Sequence, residues 1–529
     1  IVNNAYVDDI NTTYAVGDIL KVTRVGTDIR FSKNTHILYT HNNADVNESL
    51  IGKVSMSGPG ASINEVSLHG DVINKILQNI DYTYNIRGWL TDINKVKTTV
   101  APTKSLFNFK INYNTTNAGA TPLYNGNISE TFWNTKNDDD DVRGYKYTYD
   151  QLNRIKIAKF TKGTGINNQE EGFFYDVENI TYDTNGNIQS LFRSGSTDEE
   201  SIAIWDDLTY TYSGNKLLKV DDEATISDGF IDGNPNSTGV DDYRYDANGN
   251  MTVDKNKNIK RIFYNHLNLP TRIEFENQDD PENLSNYIEY TYDATGLKMK
   301  KEVMPDGAPP QITEYAGSYI YSDSDSVNNL HLQFISHPEG YIIPTVIGGT
   351  RTSKSVKGFK KDTGETTYSD YAYVFQYKDH LGNVRLSYSD ANLDGAIQTE
   401  GDASEIIEES NYYPFGLQHK GYNNVITSTN LGQKEKTFQG QRLDDDLGLN
   451  WHTFKWRNYD ASLARFHNID PLAEEFVYNS PYNFAENRVI DGVELEGLEW
   501  ENFMSSFKKT SNLNVKPVPS GKGVQNQSY

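Results

Sequence analysis

Apolar and polar residues alternate with a period of two along many short stretches of this chain, and the same arrangement keeps returning. Tyr147-Thr148-Tyr149, Tyr210-Thr211-Tyr212, Tyr243-Arg244-Tyr245 and Tyr290-Thr291-Tyr292 each put two rings on one face of an extended segment. Most are followed by an Asp and a polar, Gly-containing turn, as in Asp183-Thr184-Asn185-Gly186-Asn187, Asp246-Ala247-Asn248-Gly249-Asn250 and Asp293-Ala294-Thr295-Gly296-Leu297. A second alternating stretch comes next. This predicts β-hairpins, in which Gly supplies a positive φ and the Asp or Asn side chain caps the turn backbone. Further copies begin at Tyr82-Thr83-Tyr84-Asn85, Tyr182-Asp183 and Tyr264-Asn265, and Tyr377-Lys378-Asp379 opens a late variant. Clear copies lie roughly 19 to 33 residues apart, too close for separate domains. One hairpin cannot bury its own aromatic face, so neighbours are expected to pair edge to edge.

Composition sharpens this picture. The 529 residues include 36 Tyr, 22 Phe and 6 Trp, an aromatic usage that suits pleated sheets and argues against disorder. No Cys is present, which excludes disulfides, thiolate metal sites and a Cys nucleophile. A net charge of −24 opposes direct binding to a nucleic-acid backbone. No run approaches the ~20 apolar residues of a transmembrane span. The start, Ile1 rather than Met, carries no signal-peptide pattern and is expected to mark a fragment or processed product.

Late in the chain come Asp379-His380-Leu381-Gly382-Asn383-Val384-Arg385, Tyr412-Tyr413-Pro414-Phe415-Gly416, and Arg457-Asn458-Tyr459-Asp460, leading through Arg465-Phe466 to Asp470-Pro471. With the Tyr-Asp repeats, these motifs resemble the YD (RHS) repeats and RHS-associated core of bacterial RHS proteins and polymorphic toxins, insecticidal toxin-complex C components and animal teneurins. The resemblance covers residues 80 to 498. It implies an all-β fold in which YD-repeat hairpins form a long spiralling sheet that closes into a hollow shell, or cocoon, plugged by the RHS-associated core. The expected organisation is a preceding β region over 1–75, a repeat array over 76–375, the core over 376–498, and a linker or the start of a C-terminal effector over 499–529. In that last segment Trp500, Phe503, Met504 and Phe507 have helical spacing and could dock inside the shell.

The resemblance also implies self-cleavage by an aspartyl-type pair just after a C-terminal Asp-Pro-x-Gly-Leu element. Two carboxylates that share a proton can activate water for peptide hydrolysis. Asp470 fits the first position. At the second the chain reads Glu494-Leu495-Glu496-Gly497-Leu498, so Glu replaces Asp and Pro is lost, and Asp491 just upstream is an alternative. A packed plug strand with solvated acids is the competing reading. Cleavage by the family pattern falls between Leu498 and Glu499.

A second candidate is Asp390-Ala391-Asn392-Leu393-Asp394-Gly395, whose Asp390, Asn392 and Asp394 match the start of a calcium loop. The acid expected at position 12 falls on Gly401, between Glu400 and Asp402, and an ordinary Asx-rich turn explains the same residues. No cofactor is required by this reading; calcium is the one candidate. His452 and His467 show no metal-ligand spacing and are read as structural. Gly348-Gly349-Thr350-Arg351 lacks the ending of a phosphate loop.

Taken together, the expected function is the encapsulating shell of a secreted or translocated toxin, extracellular or at the cell surface. Its partners are its own C-terminal effector and a secretion or delivery apparatus, and nucleic acid is not among them. The alternative is a cell-surface adhesion or carbohydrate-binding protein in which exposed Tyr rings stack sugars, with surface glycans as partners.

Overall fold

The computed structural model describes residues 20–25, 28–34, 36–41, 77–98, 105–137, 139–172, 174–198, 201–224, 226, 228–233, 239–276, 286–323, 330–346, 368–392, 395–401, 404–421 and 431–502. The chain forms two compact units, Ile1–Lys75 and Ile76–Tyr529. In the first, Leu20–Val25, Asp28–Lys33 and His36–His41 make a three-stranded antiparallel sheet with Leu20 opposite Lys33 and Ile29 opposite His41.

Among the described residues of the second unit, an eleven-stranded sheet runs from Tyr82–Tyr84 to Lys216–Asp222, and a thirteen-stranded sheet from Tyr243–Tyr245 to Ile406–Glu409. Strands pair with their neighbours in sequence, apart from Glu170–Glu171, which pairs off the main path with Ile155–Gly163. Every pairing is antiparallel, as short hairpin turns demand. The second sheet crosses residue 376 without a break, because Tyr368–Lys378 pairs directly with Val384–Tyr388.

The repeat has a mechanism that the alternation alone did not reveal. At most of these turns the leading Asp or Asn accepts two backbone N–H groups through Oδ1. Asp183 takes those of Asn185 and Asn187 at 2.8 Å each, and Asp293 those of Thr295 and Leu297 at 2.8 and 2.9 Å. Asn265 does the same with Leu267 and Leu269. Just before the turn the strand register shifts, between Thr148 and Tyr149, Thr181 and Tyr182, Thr211 and Tyr212, Phe263 and Tyr264, and Thr291 and Tyr292. Such a bulge re-aims the side chain that follows it. The re-aimed Tyr then reaches back to the preceding hairpin. Tyr182 donates its hydroxyl to the Ile155 carbonyl at 2.5 Å, Tyr212 to Ile188 at 2.7 Å, Tyr264 to Met251 at 2.6 Å and Tyr292 to Pro270 at 2.9 Å. Each acceptor lies five residues after the turn Asp or Asn of the repeat before it, at Asp150, Asp183, Asp246 and Asn265. The rings pack, and their hydroxyls also tie repeat to repeat.

The late part of the second sheet returns to the beginning of the first. Tyr377 donates to Gln78 Oε1 at 3.1 Å, its ring lies 5.8 Å from Phe107, and His380 stacks on Phe109 at 5.3 Å. One contiguous apolar core runs from Leu90 to Ile490, so the two sheets share an interior. That interior is filled by the chain from Asn411 onward. Short strands Arg442–Asp444, Trp451–Thr453, Asn458–Asp460 and Arg465–Phe466 surround Tyr459, which stacks on Phe484 at 3.9 Å. Tyr413 donates to the Ser194 carbonyl at 2.6 Å, and the Asn487 side chain to that of Gly186 at 2.8 Å. The fold is a curling sheet of YD hairpins plugged by the C-terminal core, as the resemblance implied.

Trp500 does not begin a helix. Glu499–Asn502 is a strand, paired with Gly492–Leu495, because a ready-made edge competes successfully with weak helical periodicity. Phe503, Met504 and Phe507, like Gly348 to Arg351, lie outside the described residues. Among the described residues no helix is long and apolar enough to cross a membrane.

Replacing Tyr264 by Phe leaves the Met251 carbonyl without its donor and is expected to cost about 1–2 kcal/mol. Hydrogen exchange across the hairpins joined there should rise, whereas Tyr319→Phe, at an exposed position, should change nothing measurable.

Candidate functional site

The hairpin that ends the described chain reverses through Leu495-Glu496-Gly497-Leu498, closed by the Leu498 N–H on the Leu495 carbonyl at 2.9 Å. Both central residues have positive φ, 55° for Glu496 and 81° for Gly497. The second must be Gly for a further reason: a Cβ there would meet the Phe454 Cβ at 2.9 Å. The turn is thereby pressed against the segment that carries Arg457.

Arg457 is fully buried and organises the site. Its Nη2 lies 2.9 Å from Asp470 Oδ2 and 3.0 Å from Glu494 Oε1, Nη1 donates to the Pro481 carbonyl at 3.2 Å, and Nε donates to the Gly497 carbonyl. Its guanidinium carbon sits 3.8 Å over the Phe466 ring. The carboxylates have further donors, Ala485 N–H to Glu494 Oε2 at 2.7 Å and Leu472 N–H to Asp470 Oδ1 at 2.8 Å. One cation thus holds two acids and the turn at Gly497 in a single constellation.

Burial pushes the Glu494 carboxyl up to about 7, against the opposing pull of Arg457, with the negative charge of Asp470 adding to the rise. Burial also raises Asp470; Arg457 opposes that shift and the charge of Glu499 adds to it. Both carboxyls are thus shifted towards the protonated form, with Arg457 opposing the shift at each. Arg457, Asp470, Glu494, Leu498, Glu499 and Trp500 all line one small, open cleft.

Asp491 lies elsewhere. It pairs with Arg488 at 2.6 Å, and burial raises its carboxyl while Arg488 opposes the rise. Of the three acids named from the sequence, the structure brings together Asp470 and Glu494 and leaves Asp491 out of the cleft. Sequence reasoning quoted Arg457 within a motif but gave it no role. The available signal was charge balance, since two acids buried at one place need a cation.

In the loop at 390, Asp390 Oδ2 accepts the Gly395 N–H at 3.0 Å. Glu405, which the sequence did not single out, collects the N–H groups of Ala391, Asn392 and Gln398 at 2.8, 3.1 and 2.9 Å. Asp394 and Asp402 lie outside the described residues. His452 meets Thr437 Oγ1 at 3.2 Å and His467 packs on Trp451 at 4.4 Å. Burial lowers these two imidazoles, to about 4 and about 3, which keeps them neutral.

No family model and no curated protein matches the sequence. Solved structures do match the fold. The TcdB2–TccC3 complex without its hypervariable C-terminal region is 16% identical, with a TM-score of 0.51 over 79% of this chain and 18% of that one. The Photorhabdus luminescens Tc holotoxin pore is 14% identical, with a TM-score of 0.48 over 80% and 19%. TcdB2–TccC3 with Cdc42 is 14% identical, with a TM-score of 0.48 over 79% and 19%. This chain spans about a fifth of the length of these structures. At such identity the likeness to the first is one of fold alone.

Because Glu494 binds its proton more tightly folded than unfolded, its contribution to stability is fully present below its ordinary value of 4.5 and is lost as pH rises through about 7. Thermal unfolding followed from about pH 5 to about pH 8 should show a fall in wild type that shrinks in Glu494→Gln. Equal pH slopes in the two proteins would contradict this assignment.

Proposed function

We propose that this chain is part of the encapsulating shell of a secreted or translocated RHS-type toxin, that it encloses an effector following residue 498, and that it cuts itself between Leu498 and Glu499. The repeat array is taken as 76–375 and the plug as 376–498, with 1–75 a preceding β region. The observation that carries the cleavage reading is that Leu498 and Glu499 line the same cleft as Asp470 and Glu494.

In this reading Asp470, acting as a carboxylate beside Arg457, takes a proton from a water that attacks the Leu498 carbonyl carbon. Glu494, holding its proton near neutrality, gives it to the nitrogen of Glu499 as the C–N bond breaks. The products are a Leu498 carboxylate and a Glu499 amine. Arg457 fixes the two carboxyls and, through the Gly497 carbonyl, the turn before the scissile bond. The cut falls at the end of the plug, which stays seated against the sheets. Calcium is assigned to Asp390, Asn392 and Asp394, and terbium luminescence that calcium quenches and that is lost in Asp390→Asn is the expected result.

Mass spectrometry of the purified chain checks the cleavage. Wild type should give two pieces that meet between Leu498 and Glu499, and Asp470→Asn and Glu494→Gln should stay whole. A wild-type chain that remains intact, or a cut that persists in Asp470→Asn, overturns the reading.

A further inference from the structure

The strand that follows the proposed cut is held by contacts which the cut leaves untouched. Glu499–Asn502 runs antiparallel to Gly492–Leu495, with Gly492 opposite Asn502, Glu494 opposite Trp500 and Leu495 opposite Glu499. Its one large apolar side chain is Trp500, and this residue is fitted closely. The indole N–H donates to the Arg488 carbonyl at 3.2 Å, and the Arg488 guanidinium lies 3.7 Å over the ring. Gly492 is bare where the indole passes, since a Cβ there would stand 2.1 Å from Nε1. Arg488 is fixed in its turn by Asp491 at 2.6 Å. Asp491, the acid that does not reach the cleft, thus acts on the residue that grips Trp500.

Hydrolysis between Leu498 and Glu499 opens the turn of this hairpin but breaks none of its cross-strand pairs. A strand added to an existing edge is bound by main-chain hydrogen bonds, and one anchored side chain gives it specificity. Glu499, Glu501 and Asn502 have no apolar surface to offer, so the specificity falls on Trp500.

We propose that Glu499–Asn502 is a retention strand: after scission it stays paired with Gly492–Leu495, with Trp500 keyed between Gly492 and Arg488, and keeps the downstream segment attached without a covalent link. The partner of this surface is the new N-terminal end of whatever follows the cut. Cutting and release are then separate steps, and release requires the strand to unpair. The proposal rests on the cleavage reading given above.

The purified chain, residues 1–529, is passed over a size-exclusion column under native conditions, and its fractions are then analysed by denaturing mass spectrometry. The cleaved piece beginning at Glu499 should travel with the large piece in wild type. In Trp500→Ala the co-eluting fraction should fall about tenfold, and Trp500→Phe, which keeps the ring over Arg488 but loses the N–H donor, should fall between. A cleaved wild type that loses its small piece as completely as Trp500→Ala overturns the retention strand while leaving the cleavage reading intact. If either protein remains uncut, the same interaction is read by hydrogen exchange in the whole chain. Protection over 492–502 that is lost in Trp500→Ala, with exchange in the repeat array unchanged, supports retention; equal exchange over 492–502 in both proteins overturns it.

Discussion

The register of the Tyr-rich repeats depends on a hydrogen bond from a tyrosine hydroxyl to a backbone carbonyl in the hairpin before it. Burial opposes a one-residue slip, which would turn the apolar face outward, but a slip of two residues keeps every side chain on its own face. The phenol of Tyr182, Tyr212, Tyr264 or Tyr292 selects one acceptor, always the carbonyl that opens the returning strand of the earlier repeat. The turn Asp or Asn fixes the loop, the bulge aims the ring and the hydroxyl sets the register. Three small devices, repeated, convert marginal hairpins into a sheet of defined curl.

The plug is joined to this sheet by buried charge. Arg193 is paired with Asp206 at 2.6 Å and donates to the Ala461 and Ser462 carbonyls. Asp444 receives Lys298 at 3.0 Å, Lys301 at 3.1 Å and the Tyr290 hydroxyl at 3.2 Å, and these cations hold its carboxyl far below the ordinary range although burial alone would raise it. Arg385 donates to the Ser410 carbonyl, pairs with Asp379 at 3.2 Å and lies 4.7 Å from the Trp133 ring. Pairs of this kind add little net stability, since desolvation offsets their attraction, but a misplaced plug would leave each charge unpaired. They therefore select one seating of the plug, and that seating carries Arg457 and its two acids to the turn at Gly497.

Much of this was legible in the sequence, and what was not has physical reasons. Period-two alternation and the Asx-Gly turns gave the hairpins, because they are local properties of a few adjacent residues. The role of the second Tyr was hidden because its acceptor lies in another repeat and the bulge that aims it leaves no distinct residue signature. Asp470 and Glu494 were found through a motif, whereas Arg457 and Glu405 act on groups distant in sequence and were not. Trp500 was misread because its helical spacing is a local cue, and the strand edge at Gly492–Leu495 is a tertiary one.

A side-chain-resolution density map of the full chain tests the tyrosine register most directly. The account predicts that the hydroxyls of Tyr182, Tyr212, Tyr264 and Tyr292 each lie within hydrogen-bonding distance of the carbonyls of Ile155, Ile188, Met251 and Pro270 in turn. Hydroxyls turned to solvent, or paired with other carbonyls in a sheet of the same curl, would contradict it.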